Sequence, residues 1–332
     1  MDTGGGRREL FPTAYASERT ESLPRFVVKP ALLAPPASAA TPEPEDLGAA
    51  LAPVVDALAG RRTAVLTGAG ISTDSGIPDY RSPGSPARQP MTFQQFVSSE
   101  AFRRHYWARN HLGWRHLLAA HPNAGHTALA ELEAAGAVTG VVTQNIDLLH
   151  LRAGSRTLVH LHGRYDRVVC LSCDVVIPRA EHDERLSSLN PGWRERHAQV
   201  ADVEVAPDAD VVLDSTSDFR IVDCPRCGGI LKPDVVFFGS NTPRERVAAA
   251  TALVDDADAL LVAGSSLAVM SGLRFVRRAA KAGIPVVVLN RGPTRGDDLA
   301  DVKVEVSTTR ALPALVAALT GGTNAAAAEG TG

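Results

Sequence analysis

The chain is short of lysine and cysteine, contains no long apolar run and carries little net charge. Its formal charge is −3 over 332 residues, so it has no overall basic field of the kind that holds nucleic acid by bulk electrostatics. No apolar stretch approaches the roughly 20 residues that span a bilayer; the longest, such as Ala259–Ala263 and Ile284–Leu289, have the length of strands. Only four of the 34 basic residues are lysines, an arginine bias that points to a GC-rich, bacterial genome rather than to a function. Four cysteines cannot make a disulfide scaffold of so long a chain, and all four fall in two pairs, Cys170-x-x-Cys173 and Cys224-x-x-Cys227.

With 45% apolar residues the chain can bury the core of one large domain and a smaller one. Residues 1–46 mix glycine, proline, alanine and both signs of charge without periodicity, and 321–332 form an Ala/Gly tail, so both ends are expected to be disordered. The N-terminal segment has no secretory apolar region, and its acidic residues argue against a transit peptide. The expected compartment is the cytoplasm, or the mitochondrial matrix if the source is eukaryotic.

Apolar residues at helical spacing predict a helix over Leu47–Leu58, stopped by Gly60, and a strand over Thr63–Thr67. Aromatics between Phe93 and Ala120 predict a helical insertion over about 91–122, followed by a helix over Asn123–Ala135, a strand over Val138–Thr143 and a short strand over Thr157–Leu161. After the cysteine pairs, Ile230–Gly239 reads as a strand returning to the large domain. Helix and strand then alternate over Arg244–Val254, Ala259–Ala263, Leu273–Ala282 and Pro285–Leu289, with a last helix over Leu312–Leu319. This alternation predicts an α/β fold with a doubly wound, Rossmann-like parallel sheet. It would be built from 47–163 and 229–320, with a small zinc-binding domain at 164–228.

The first strand delivers the chain to Gly68-Ala69-Gly70-Ile71-Ser72, where glycines let backbone approach an anionic ligand; a nucleotide is the natural candidate. The dehydrogenase fingerprint would place a third glycine where Thr73 stands, so this is a different loop. Paired CxxC knuckles suit one tetrahedral zinc ion, with Cys170, Cys173, Cys224 and Cys227 as ligands and no open position for chemistry. The span between the pairs, residues 174–223, exceeds the usual zinc-ribbon spacing of about 15–20 residues, so an insertion is expected there.

The string from Gly68 to Arg81, GAGIS…SGIPDYR, resembles the signature of the sirtuins, NAD-dependent protein deacylases. Gln144-Asn145-Ile146-Asp147 after a strand, Ala153-Gly154-Ser155, His162-Gly163 and the paired cysteines fit the same family in the same order. The insertion, with Leu189-Asn190-Pro191-Gly192-Trp193 and Ala206-Pro207-Asp208-Ala209-Asp210, resembles that of the class II branch, which includes mitochondrial members.

The resemblance implies transfer of an acyl group from lysine to the ADP-ribose part of NAD, with release of nicotinamide. It implies His162 as general base on the ribose, Asn145 orienting the ribose and a water, and Asp147 holding the carboxamide. NAD would be gripped by Gly68, Ala69, Gly70, Ile71, Ser72, Asp79, Tyr80 and Arg81. Further contacts would come from Gln144, Asn145, Ile146, Asp147, Gly264, Ser265, Ser266, Asn290, Arg291 and Gly292, under a lid between Ile77 and Arg88. Val236, Phe237, Phe238 and Gly239 would pair with the substrate peptide, although Ser240 replaces the acid common after that glycine. Tyr106 and Arg109 have the spacing of a Tyr-x-x-Arg pair that binds acidic acyl groups in one sirtuin class. The expected partners are acylated lysines of proteins, met by a monomer that binds neither nucleic acid nor membrane. The alternatives are a protein ADP-ribosyltransferase or a non-catalytic NAD or ADP-ribose sensor.

Overall fold

The structure is a computed structural model that describes residues 42–79, 90–197, 213 and 215–328. Tyr80, Arg81, most of the expected lid and residues 206–210 lie outside these, as do nearly all of the expected N-terminal tail and residues 329–332.

Helix α1 (Leu47–Leu58) is capped by the Asp46 carboxylate, which accepts from the amide of Ala49 at 3.0 Å. It leads into β1 (Thr63–Thr67), whose five residues are all buried. Next come α2 (Phe93–Ser98), α3 (Glu100–Ala119), α4 (Ala124–Ala134), β2 (Val138–Thr143), α5 (Leu149–Ala153) and β3 (Leu158–His160). The small lobe contributes β4 (Gly163–Cys170), β5 (Val176–Pro178), α6 (Arg179–Leu189), α7 (Trp193–Arg196) and β6 (Leu231–Val235). The chain then runs through α8 (Arg244–Asp255), β7 (Ala259–Ala263), α9 (Met270–Ala282), β8 (Val286–Leu289), β9 (Val302–Val304) and α10 (Thr308–Ala328).

Six strands form one parallel sheet in the order β3-β2-β1-β7-β8-β9. Counted within this sheet alone, that order is the 3-2-1-4-5-6 of a doubly wound dinucleotide-binding fold, with the reversal of direction between β1 and β7. Side chains alternate along β1 and so feed two cores. Val65 packs with Leu51 and Val54 of α1, Leu129 of α4 and Leu312 of α10, whereas Ala64 and Leu66 pack with Val254 of α8 and Phe275 of α9. Burial on both faces explains why these strands read as continuous apolar runs.

The second sheet is small and antiparallel, in the order β5-β4-β6. The return strand expected in the large domain is β6 of this sheet instead. It pairs with β4 from Cys170↔Leu231 onward, because the second knuckle hands the chain straight to the first knuckle's strand. Residues 43–46, expected to belong to a disordered tail, include the α1 cap and Glu43, which accepts from Arg291 Nε at 2.9 Å and from the amide of Ser307 at 3.1 Å. The last helix runs past Leu319 to Ala328, in keeping with the high helix propensity of the alanines at 325–328.

Candidate active site

The glycine loop lies at the point where strand order reverses, between the carboxyl ends of β1 and β7. The amide of Gly70 donates to the carbonyl of Gly264 at 2.9 Å. A Cβ on Gly68 would stand 2.8 Å from that of Ser265, and one on Gly264, whose φ is +64°, would stand 2.4 Å from the amide nitrogen of Ile71. The two loops therefore touch backbone to backbone, a contact only glycine allows. A crevice walled by main chain at this place in the topology fits a dinucleotide.

Helix α4 pins the loop from behind. Its cap Asn123 donates from Nδ2 to the carbonyl of Ile71 at 2.7 Å and to Ser75 Oγ at 3.0 Å. Ser72 is fully buried and donates to Asp147 Oδ2 at 2.7 Å, while Asn145 donates to Ser72 Oγ at 3.1 Å and to the Gly68 carbonyl at 3.0 Å. Asp147 also accepts from the amide of Leu149 at 2.9 Å. Its burial raises its pKa, against the lowering pull of these hydrogen bonds. The loop and the Gln144–Asp147 segment are thus one hydrogen-bonded unit.

His162 follows β3 and immediately precedes β4, so it stands at the junction of the two sheets. Its Nδ1 lies 2.9 Å from the carbonyl oxygen of Gln144 and its Nε2 lies 2.7 Å from Ser271 Oγ. A carbonyl only accepts, so the ring's proton is on Nδ1 and Nε2 carries a lone pair. Burial pushes its pKa down to about 4, opposed by the Gln144 bond, which leaves the imidazole neutral near pH 7. The neighbouring Gly163 has φ of +97°, and a Cβ there would stand 2.0 Å from the carbonyl oxygen of Asp234 on β6.

The remaining expected residues fall into two groups. Gln144 donates from Nε2 to Ser265 Oγ at 2.8 Å, and Asn290 is buried after β8, its Nδ2 turned to the carbonyls of Arg291 and Gly292. Arg291 reaches away to Glu43, and Asp79 ends the described part of the loop. On the other side, the amide of Val236 donates to the His162 carbonyl at 2.8 Å, and the carbonyls of Phe238 and Gly239 accept from the amide of Phe93 and from Gln94 Nε2. Phe237 stacks on Phe96 and meets Tyr106 edge-on. Tyr106 is buried in this aromatic nest, whereas Arg109 Nη1 lies 2.9 Å from His105 Nε2.

The four cysteine sulfurs all lie within 4.8 Å of one another, with Cys170–Cys227 at 3.5 Å and Cys173–Cys224 at 3.7 Å. Tetrahedral zinc–thiolate bonds of about 2.3 Å place sulfurs about 3.8 Å apart. The cluster fits a structural zinc site.

Motif reading misses several neighbours. Ser271 and Arg246 have no motif around them; Arg246 donates to Asp234 Oδ1 at 2.6 Å beside His162. His126 and His150, 4.8 Å apart ring to ring, back the crevice by contacts to Ser72 and Thr67, and only their place on helices next to the loop could flag them.

Comparison with known proteins agrees with this geometry. A protein-family model described as Sir2 family matches residues 68–271. An NAD-dependent protein deacetylase 1 of Mycobacterium avium is 61% identical over 76% of this chain and 89% of its own length. One of Streptomyces coelicolor with the same name is 54% identical over 76% and 85%. A solved structure of Sir2 with a p53 peptide and NAD+ matches with a TM-score of 0.65 and 30% identity, covering 82% of this chain and 99% of that one. Another, Sir2 bound to an acetylated peptide, gives 0.63 and 28% over 80% and 96%.

Proposed function

Because the chain belongs to the Sir2 family and is an NAD-dependent protein deacetylase, we propose that the crevice between the Gly68 and Gly264 loops holds NAD and that His162 is its general base. One observation carries the assignment: His162, Asn145, Asp147 and Ser72 converge at the carboxyl ends of β1, β2 and β3 through direct hydrogen bonds among themselves, the Gly68 loop and Gln144.

NAD, when bound, supplies an electrophilic ribose carbon through loss of nicotinamide. The chain's own groups do the rest. The lone pair on His162 Nε2 receives a proton from a ribose hydroxyl, a step for which a neutral imidazole is required. Asn145 orients that hydroxyl while the Ser72–Asp147 pair fixes the floor beneath it. The main-chain contact of Gly70 with Gly264 joins the two loops that would meet the phosphates, which lowers the ordering cost of these two loops on binding.

The peptide is proposed to lie along Val236–Gly239 by strand addition, with its acylated lysine directed past Phe237. The relatives' printed names support acetyl as the acyl group, and Arg109, turned to His105, is not assigned to it. The bacterial cytoplasm is the proposed compartment, since the relatives are bacterial and no described helix is long and apolar enough to cross a membrane. The test is nicotinamide release from NAD with and without an acetylated peptide. Release that requires the peptide is expected. Release without it would replace this reading with NAD hydrolysis or ADP-ribosyl transfer.

A further inference from the structure

His162 is held at both ring nitrogens, and both holds lead to a corner that the sequence motifs do not mention. Its Nδ1 donates to the carbonyl of Gln144. Its Nε2, the nitrogen that must accept a proton in the reaction, is already met by Ser271 Oγ at 2.7 Å. Since Nε2 carries no proton, the Ser271 hydroxyl is the donor.

Ser271 lies in the first turn of α9, and this helix is firmly seated. Leu273, Phe275 and Val276 are buried in the core under the sheet, at 1% exposure or less. The next residue, Gly272, lies against the Gln144 side chain so closely that a Cβ there would stand 2.6 Å from Oε1. Gln144 in turn donates to Ser265 Oγ and to the carbonyl of Thr67 at 3.1 Å. The Ser271-Gly272 corner therefore touches the ring of His162 directly on one side and, through Gln144, braces the residue that anchors the other side. Ring orientation is set by these two contacts together with the junction at Gly163.

We propose that Ser271 is a positioning residue for deacylation: in the free protein its hydroxyl occupies His162 Nε2 and holds the ring in the reactive tautomer and plane until a substrate hydroxyl takes its place. No covalent bond is made or broken by Ser271; one hydrogen bond is exchanged for another at the same lone pair. Loss of the serine frees the ring to turn about its remaining bond to Gln144, in the substrate complex as well, before the ribose hydroxyl reaches Nε2. The proposal rests on His162 being the general base.

The experiment compares the full-length protein with Ser271→Ala and Ser271→Thr, each checked for folding by a circular-dichroism melt. Peptide-dependent nicotinamide release is expected to show kcat lowered about 3- to 10-fold in Ser271→Ala, the size of effect that one hydrogen bond carries. KM for the acetylated peptide should stay within about twofold, as expected when ground-state binding is untouched, and Ser271→Thr should recover most of the loss. Independently of turnover, ¹⁵N NMR of His162 in the free protein should show the Nδ1-protonated tautomer. Its Nε2 resonance should move in Ser271→Ala toward that of an imidazole nitrogen without a hydrogen bond. An unchanged Nε2 resonance, kcat equal to the parent in Ser271→Ala, or a Thr variant no better than Ala would overturn the proposal. If the parent itself releases no nicotinamide with peptide, the assignment of the reaction fails instead.

Discussion

The crevice of the large sheet and the interior of the small lobe both bury histidines, but they differ in the full charges they bury with them. At the crevice, the buried groups are kept neutral or paired locally: His126, His150 and His162 all have lowered pKa values through burial, and Asp147 accepts from Ser72 and the Leu149 amide. In the lobe, burial likewise lowers the pKa values of His111 and His182, and full charges are buried beside them. Asp183, at the centre of α6, accepts from Arg194 of α7 and lies 2.6 Å from His111 of α3. Arg179, 1% exposed, has its guanidinium 4.8 Å from the ring centre of Trp107, 5.3 Å from Trp114 and 5.7 Å from Tyr165. The difference follows from what lies behind each region. The six-stranded sheet has apolar cores on both faces, so its rim can be given over to chemistry. The three-stranded sheet has an apolar cluster on the side of α3, with Trp107, Trp193 and Phe219 buried in it, and adds to it the cysteine cluster and specific charge contacts.

Removing the metal tests this contrast most severely. Structural zinc contributes roughly 10–16 kcal/mol to comparable folds, so a chelator is expected to unfold the lobe and abolish activity while the large sheet keeps its helical circular dichroism. Full loss of secondary structure would mean that the two regions are not separable.

His162→Ala probes the other side. A general base accelerates its step about 100- to 10,000-fold, and the expected result is a loss of that size in kcat with a melting temperature close to the parent's. A large drop in melting temperature would show that the crevice, like the lobe, spends its polar groups on stability.

A third test varies pH. The crevice histidines have folded pKa values below the ordinary 6.5, down to about 4 for His126 and His162. The unfolded chain therefore binds protons that the folded chain refuses, and stability falls as pH drops from about 6.5 toward 4. Asp183 behaves differently: burial raises its pKa, but its bonds to His111 and Arg194 bring it below the usual carboxylate value. Its contribution is complete above about pH 4 and is lost only below that. Urea midpoints at about pH 7, 5.5 and 4.5 should decline steadily; a flat series would remove the histidines from the account.

The strands of the large sheet are legible in the sequence because their neighbours leave no choice. Thr63–Thr67 and Ala259–Ala263 are buried on both faces and end at glycines, and the structure places them at those bounds. Helix α6 is invisible for the complementary reason. Its buried positions, Arg179, His182, Asp183 and Leu186, have helical spacing, but three of the four are polar, so no apolar stripe announces them. Strand β9, Val302-Lys303-Val304 between two acids, is too short and too charged to register as a pattern. At the site, motif strings carry His162, Asn145 and Asp147, whereas Ser271 belongs to no string. Its significance is a distance, and a distance across 109 positions of sequence is what a motif cannot contain.

Gly163 joins the two regions with a hydrogen atom's worth of room. The carbonyl of Asp234 occupies the space where any side chain would begin, and the residue before Gly163 is His162, the proposed general base. The seam between the zinc lobe and the large sheet therefore tolerates hydrogen alone at this position, and the two regions meet main chain to main chain there.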